Sequence, residues 1–204
     1  ARALVPWGAG NLAIELEAAG TSLAERLALT PGHPLPLGEF FSVAVQLTRT
    51  LGGLHEANIV HKNVVPRNVF IDAAGYVRLA DFSICSELAR ERQDDQLSTR
   101  IEGSLPYISP EQTGRMSRDV DYRSDYYTLG VTCFELLTGQ LPFSAADPLE
   151  WVHRHVSQAP PAAHGINHDV PEALSQIIGK LLAKSAEDRY QSSFGLIADL
   201  ERSR

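Results

Sequence analysis

Ile59 to Phe82 reads I-V-H-K-N-V-V-P-R-N-V-F-I-D-A-A-G-Y-V-R-L-A-D-F, and the fold turns on this stretch. An apolar pair and His61 lead into a polar loop that ends at Asn68. A short strand follows from Val69 to Ile71, Asp72 to Gly75 supply turn chemistry, and Tyr76 to Ala80 runs back to Asp81. A hairpin brings its two ends together, so Asn68 and Asp81 are expected side by side. A carboxylate beside an amide oxygen on a rigid hairpin suits a hard cation such as magnesium, held partly by phosphates.

His61-Lys62-Asn63-Val64-Val65-Pro66-Arg67-Asn68 resembles the catalytic loop of protein kinases, and Asp81-Phe82-Ser83 resembles their metal-binding motif. The order and spacing of these and later matches make the combination specific. The resemblance implies a mainly α fold, the C-terminal (large) lobe of a protein kinase: a helical bundle with a small β-hairpin carrying the catalytic and metal loops. It implies ATP and Mg2+ as cofactors, with Asn68 and Asp81 as ligands of both. It also places Glu17 to Ala19 at a hinge, where the backbone groups of Glu17 and Ala19 would hydrogen-bond adenine. Residues 1–20 then form the last strand and hinge of the small lobe, and residues 21–204 the large lobe.

Four residues depart from the family pattern. Asn63 stands at the position of the catalytic aspartate, Val65 at that of a lysine, Lys62 at that of an arginine, and Ser83 at that of a glycine. Phosphoryl transfer depends on positioning and charge neutralisation, with the carboxylate orienting and deprotonating the acceptor hydroxyl. Asn63 is nearly the same shape but stays neutral, and losing a general base costs about 100- to 10,000-fold. Val65 cannot neutralise a transferring phosphate, which leaves Arg67 as the basic group nearest the gap. Serine in place of glycine removes backbone freedom after Phe82.

The chain has 204 residues, 44% hydrophobic and 21% charged, enough for one globular domain with a sizeable core. A net charge of −7 with scattered Lys and Arg argues against nucleic acid as a partner. Two cysteines, Cys85 and Cys133, make neither a disulfide framework nor a metal quartet, so a reducing, cytoplasmic setting is expected. No apolar run approaches a membrane span. His164 and His168 are poorly placed for a metal, because Gly165 and Asn167 between them argue against a helix presenting both.

Leu12 to Glu17 reads as a strand, and Thr21 or Ser22 caps a short helix with Glu25 just inside it. After a Pro- and Gly-punctuated loop, Phe40, Val43, Ala44, Leu47, Leu51 and Leu54 mark a helix from Glu39 to Glu56. Ser83 to Arg100 is polar and aperiodic, a solvated mobile loop by composition and an activation segment by resemblance, with Ser98 and Thr99 as candidate phosphorylation sites. From Ser124, a helix with an apolar stretch from Val131 to Leu137 ends at Gly139. Two more helical patterns cover Pro171 to Ala183 and Ser192 to Glu201.

The resemblance gives structural roles to His61, Phe82, Glu111, Asp125 and Arg189. Glu111 of Ser109-Pro110-Glu111 and Arg189 of Asp188-Arg189-Tyr190 are expected to form a buried ion pair, and Asp125 to hold the backbone of the catalytic loop. His61 reads as a core histidine that orients its loop through a backbone hydrogen bond.

The run from Pro110 to Phe143, with Ala183 to Ser192, resembles the kinase-like domains that open very large bacterial signalling proteins. Those proteins continue with an ATPase module, a sensor and a histidine kinase, which implies such modules, and a two-component setting, as partners here. Before Leu12 there is no room for a glycine-rich phosphate loop, a strand lysine or a helical glutamate. The small lobe is therefore an expected partner from the same chain, this piece alone should bind ATP weakly or not at all, and apolar surface near Leu12 to Leu16 should lie uncovered. Two readings follow: a pseudokinase-like regulatory or interaction module, or a working serine/threonine kinase with an atypical loop.

Overall fold

The computed structural model of the chain describes residues 3–7, 11–15, 20–87, 102–115 and 119–204, the first two segments as paired backbone strands. Strands β1 (Ala3–Trp7) and β2 (Asn11–Glu15) form an antiparallel hairpin with Trp7 opposite Asn11. The strand read from Leu12 to Glu17 begins one residue earlier, at Asn11, is described as far as Glu15, and pairs with β1. The hinge at Glu17 and Ala19, the side chains of Leu12 to Leu16, and Ser98 and Thr99 lie outside the described residues.

Ser22 ends β3 (Thr21–Ser22) and caps α1 (Leu23–Leu29). Its hydroxyl accepts from the Glu25 N–H at 3.1 Å, while the Glu25 carboxylate accepts from the Ser22 N–H at 2.7 Å. This closed capping box satisfies backbone donors that the first helical turn leaves over. It settles the choice between Thr21 and Ser22.

Helix α2 (Leu37–Glu56) buries Phe40, Phe41, Val43, Ala44, Leu47 and Leu51. It leads through β4 (Ile59–Val60) to a 3-10 turn at Pro66–Asn68 and then into β5 (Val69–Ile71) and β6 (Val77–Leu79). The β5–β6 register pairs Val69 with Leu79 and Ile71 with Val77, and β3 adds to the outer edge of β5. Gln46 of α2 ties the hairpin down at both of its polar ends: its Nε2 donates to the Gly75 carbonyl at 3.0 Å, and its Oε1 accepts from the Val77 N–H at 3.1 Å. Strand β7 (Ser86–Glu87) pairs antiparallel with β4. This corrects the reading of Ser83 to Arg100 as loop throughout, because a two-residue pairing leaves no periodic trace in sequence.

Helix α3 (Arg123–Thr138) is buried on nearly every side and ends at Gly139, whose left-handed φ of 72° is one that glycine adopts freely. Around it lie α4 (Pro148–Ser157), α5 (Ala163–Ile166), α6 (Glu172–Leu181) and α7 (Ser193–Arg202). Helix α2 packs on α7 and α3, and α3 packs on α6. Gly130 permits a close approach of α3 to α6: a Cβ there would sit 2.8 Å from Leu181 Cβ. Helix α4 was not read from the sequence, although Asp147 caps it by accepting from the Glu150 N–H at 2.9 Å and Pro148 opens it. It buries only Val152 and His155, too little for a visible apolar period. The result is a mainly helical bundle with a small sheet on one side. Among the described residues no helix is long and apolar enough to cross a membrane.

Candidate active site

Two anchors fix the loop between β4 and β5. Asp125, in the first turn of α3 and fully buried, accepts from the backbone N–H of His61 at 2.9 Å and of Lys62 at 2.7 Å. The His55 ring nitrogen Nε2 lies 2.9 Å from the same carboxylate. Further along α3, the Thr132 hydroxyl donates to the Val64 carbonyl at 2.7 Å. A buried carboxylate with three donors and a buried carbonyl with one are both satisfied, so the desolvation each would otherwise cost is offset. These contacts hold Lys62 in the left-handed region, at φ 65°.

His61 lies wholly inside. Its Nδ1 accepts from the Asn63 N–H at 3.3 Å, which makes Nε2 the donor to the Ala80 carbonyl at 3.1 Å. Burial lowers its pKa, against the nearby Asp125 and Asp81 charges. Neutral His61 therefore links the loop to the end of β6. Phe82 rests edge-on against the His61 ring, centroids 4.9 Å apart, and is itself 44% exposed.

The mouth of the hairpin gathers Asn63, Asn68 and Asp81. Asn68 Nδ2 donates to the Asn63 carbonyl at 3.0 Å and stands 3.4 Å from Asp81 Oδ2. The Asn63 amide nitrogen approaches the same Oδ2 at 3.5 Å. Asp81 has a left-handed φ of 63°, which turns its side chain back toward Ser83; the Ser83 hydroxyl donates to Asp81 Oδ1 at 2.6 Å. That hydrogen bond is the chief reason its carboxyl sits below the ordinary range, helped by the Ser83 N–H and the charge of Arg67.

The donor set fits magnesium. Because the Asn68 nitrogen is committed to the Asn63 carbonyl, its amide oxygen is left as an acceptor beside an ionised carboxylate, a pair of hard oxygen ligands. Asn68 and Asp81 are the residues that would hold the ion. Among the described residues no group of three or more His, Cys, Asp or Glu side chains forms a metal cluster, so further ligands would have to come from phosphate or water.

Arg67 is exposed and lines a cavity of about 220 Å³ beside the loop, with Val65, Pro66, Ser104, Tyr107 and Glu135. Tyr107 donates its hydroxyl to Glu135 Oε2 at 2.6 Å. Burial raises the Glu135 pKa, and burial with the Glu135 charge raises that of Tyr107.

The far end of the segment is tied to the same loop. Gln112 accepts from the Ser109 hydroxyl at 2.9 Å and donates to the Lys62 carbonyl at 3.0 Å. The Lys62 ammonium lies 3.7 Å from Glu102. Glu111 and Arg189 meet inside the bundle at 2.6 Å, and Ser124 donates to Glu111 at 2.7 Å. Sequence reasoning missed Gln112, Thr132 and His55. Each acts on a backbone carbonyl or a carboxylate distant in sequence, and only Thr132, a hydroxyl inside an apolar helix, left a trace.

The site is thus two amides and one carboxylate gathered at the mouth of a pinned hairpin on a helical bundle. The chain belongs to the protein kinase family: the protein kinase domain match covers residues 10–196. It is 33% identical over 169 residues to the serine/threonine-protein kinase PknB of Mycobacterium leprae, covering 83% of this chain and 27% of that protein. It is 32% identical over 174 residues to the serine/threonine-protein kinase PrkC of Bacillus subtilis, covering 85% of this chain and 26% of that protein. It is also 32% identical over 234 residues to the hybrid signal transduction histidine kinase G of Dictyostelium discoideum, covering 82% of this chain but 7% of that protein.

Proposed function

We propose that this chain is the large lobe of a kinase-homology domain that binds magnesium nucleotide in the full-length protein but transfers phosphate poorly, and that it serves as a regulatory or interaction module. Residues 1–20 are read as the last strand and hinge of a small lobe, with Glu17 and Ala19 on adenine. Asn68 and Asp81 hold the ion. The observation that carries the reading is the amide of Asn63. It lies 3.5 Å from the Asp81 carboxylate, where a proton acceptor is needed, and it offers that carboxylate a donor. Val65, buried in the same loop, brings no charge, and Arg67 lies on the rim of the neighbouring cavity. The similarity to a hybrid signal transduction histidine kinase supports a downstream histidine kinase module and a two-component context; an ATPase module and a cytoplasmic location complete the proposal.

The intact Asp125 and Glu111–Arg189 anchors favour a second reading, an active ATP-dependent serine/threonine kinase with an atypical loop. A radiolabelled phosphotransfer assay on the full-length protein and its Asn63→Asp variant separates the two. Activity rising about 100-fold or more in the variant supports the first reading. Strong wild-type turnover that Asp81→Ala abolishes supports the second.

A further inference from the structure

Asp81 has a partner that a glycine in the next-but-one position could not supply. The Ser83 hydroxyl donates to Oδ1 at 2.6 Å, and the Ser83 N–H points to the same oxygen at 3.4 Å. Oδ2 faces the catalytic loop, where among the described residues it meets long amide contacts, 3.4 Å to Asn68 and 3.5 Å to Asn63. The two oxygens are therefore unequal. Oδ1 carries a short charge-assisted O–H···O bond, the stronger kind of hydrogen bond, and Oδ2 is the oxygen turned toward Asn68.

We infer that Ser83 is a positioning residue that competes with a divalent cation for Asp81, its hydroxyl reserving Oδ1 so that an ion is gripped through Oδ2 alone. This rests on the reading of Asn68 and Asp81 as the metal-binding pair. The direction follows from the charges. A hydroxyl proton on Oδ1 stabilises the carboxylate when no ion is present. A cation that takes both oxygens displaces that proton and forfeits the bond. Asn63 acts in the same sense: an aspartate there would set a second negative charge against Asp81, calling for a cation, whereas its amide presents a donor. Ser83 and Asp81 are both exposed, so water moderates the competition and the effect is modest.

The test is titration of Mn2+, a paramagnetic substitute for magnesium, into the chain and its Ser83→Ala, Ser83→Thr and Asp81→Asn variants. Free ion is followed by electron paramagnetic resonance, and circular dichroism checks each fold. Ser83→Ala is expected to bind about threefold or more tighter, the worth of one hydrogen bond. Ser83→Thr, which keeps the hydroxyl, is expected to match the wild type. Equal or weaker binding in Ser83→Ala, or tightening in both serine variants, overturns the inference. If Asp81→Asn still abolishes wild-type binding, the metal pair itself stands. Absence of Mn2+ binding from both wild type and Ser83→Ala overturns the inference and the metal pair together.

Discussion

Arg189 spends all five of its N–H donors inside the protein, two of them on Glu111, which lies 78 residues earlier. The fork measures 2.6 and 2.9 Å, and the other three donors reach the carbonyls of Ala183, Arg123 and Lys184. Both side chains are nearly or fully excluded from water. Removing one partner leaves the other as an uncompensated buried charge, so Arg189→Met should cost about 3 to 5 kcal/mol. Arg189→Lys should recover little, because a compact ammonium cannot fill a planar fork. Urea unfolding of the two variants measures this, and a loss below about 1 kcal/mol would place the pair with ordinary surface bridges.

Asp125 is expected to control the catalytic loop more than the bundle. Asp125→Asn keeps the shape but turns one acceptor into a donor facing donors, either the His61 and Lys62 amides or His55. The expected cost is about 1 to 3 kcal/mol. Amide exchange should quicken at His61 and Lys62 while the α6 amides stay protected. Uniform acceleration across the protein would show that Asp125 acts on global stability instead.

Acid should weaken the fold in a definite window. Burial, together with the charge of Lys184, pushes the pKa of His155 down from 6.5 to about 4, and burial moves His61 in the same direction. The unfolded chain takes up these protons first. The stability that the neutral rings contribute is complete above 6.5 and is lost as pH falls from there toward about 4. The urea midpoint should therefore drop between about pH 6.5 and pH 5, before most carboxylates titrate. In His155→Gln the slope should flatten. An unchanged slope in that variant would assign the acid sensitivity to other groups.

Much of the site was legible because local chemistry and tertiary need agree there. Ser22 with Glu25, the turn from Asp72 to Gly75, and Gly139 after an apolar helix each announce a backbone event within a few residues. Asn68 and Asp81 followed from hairpin geometry alone. What stayed hidden depends on distant partners. The β4–β7 pairing is two residues long, α4 buries too little to show a period, and Arg67 borders a cavity whose walls include Ser104, Tyr107 and Glu135, all distant in sequence. The hydroxyl bridge from Ser83 to Asp81 was also hidden, because the sequence shows only that a glycine is missing and the left-handed backbone at Asp81 decides where the serine points.

Two glycines on facing helices make an internally controlled test of the packing at the centre. Gly130 of α3 and Gly179 of α6 both lie within helices, where alanine is the better helix former by about 1 kcal/mol. At Gly179 an added Cβ meets nothing within 4 Å, so Gly179→Ala should stabilise by about that amount. At Gly130 the added carbon would lie 2.8 Å from Leu181 Cβ and 3.2 Å from Leu182 Cδ2. Leu181 Cβ is anchored directly to its backbone, so the overlap is relieved only by moving α6 as a body. That strain outweighs the propensity gain, and Gly130→Ala should lose about 1 to 3 kcal/mol. Thermal denaturation of the two variants decides it. Equal stabilisation in both would mean that α3 and α6 are not in the close contact on which the bundle, and with it the placement of Asp125, depends.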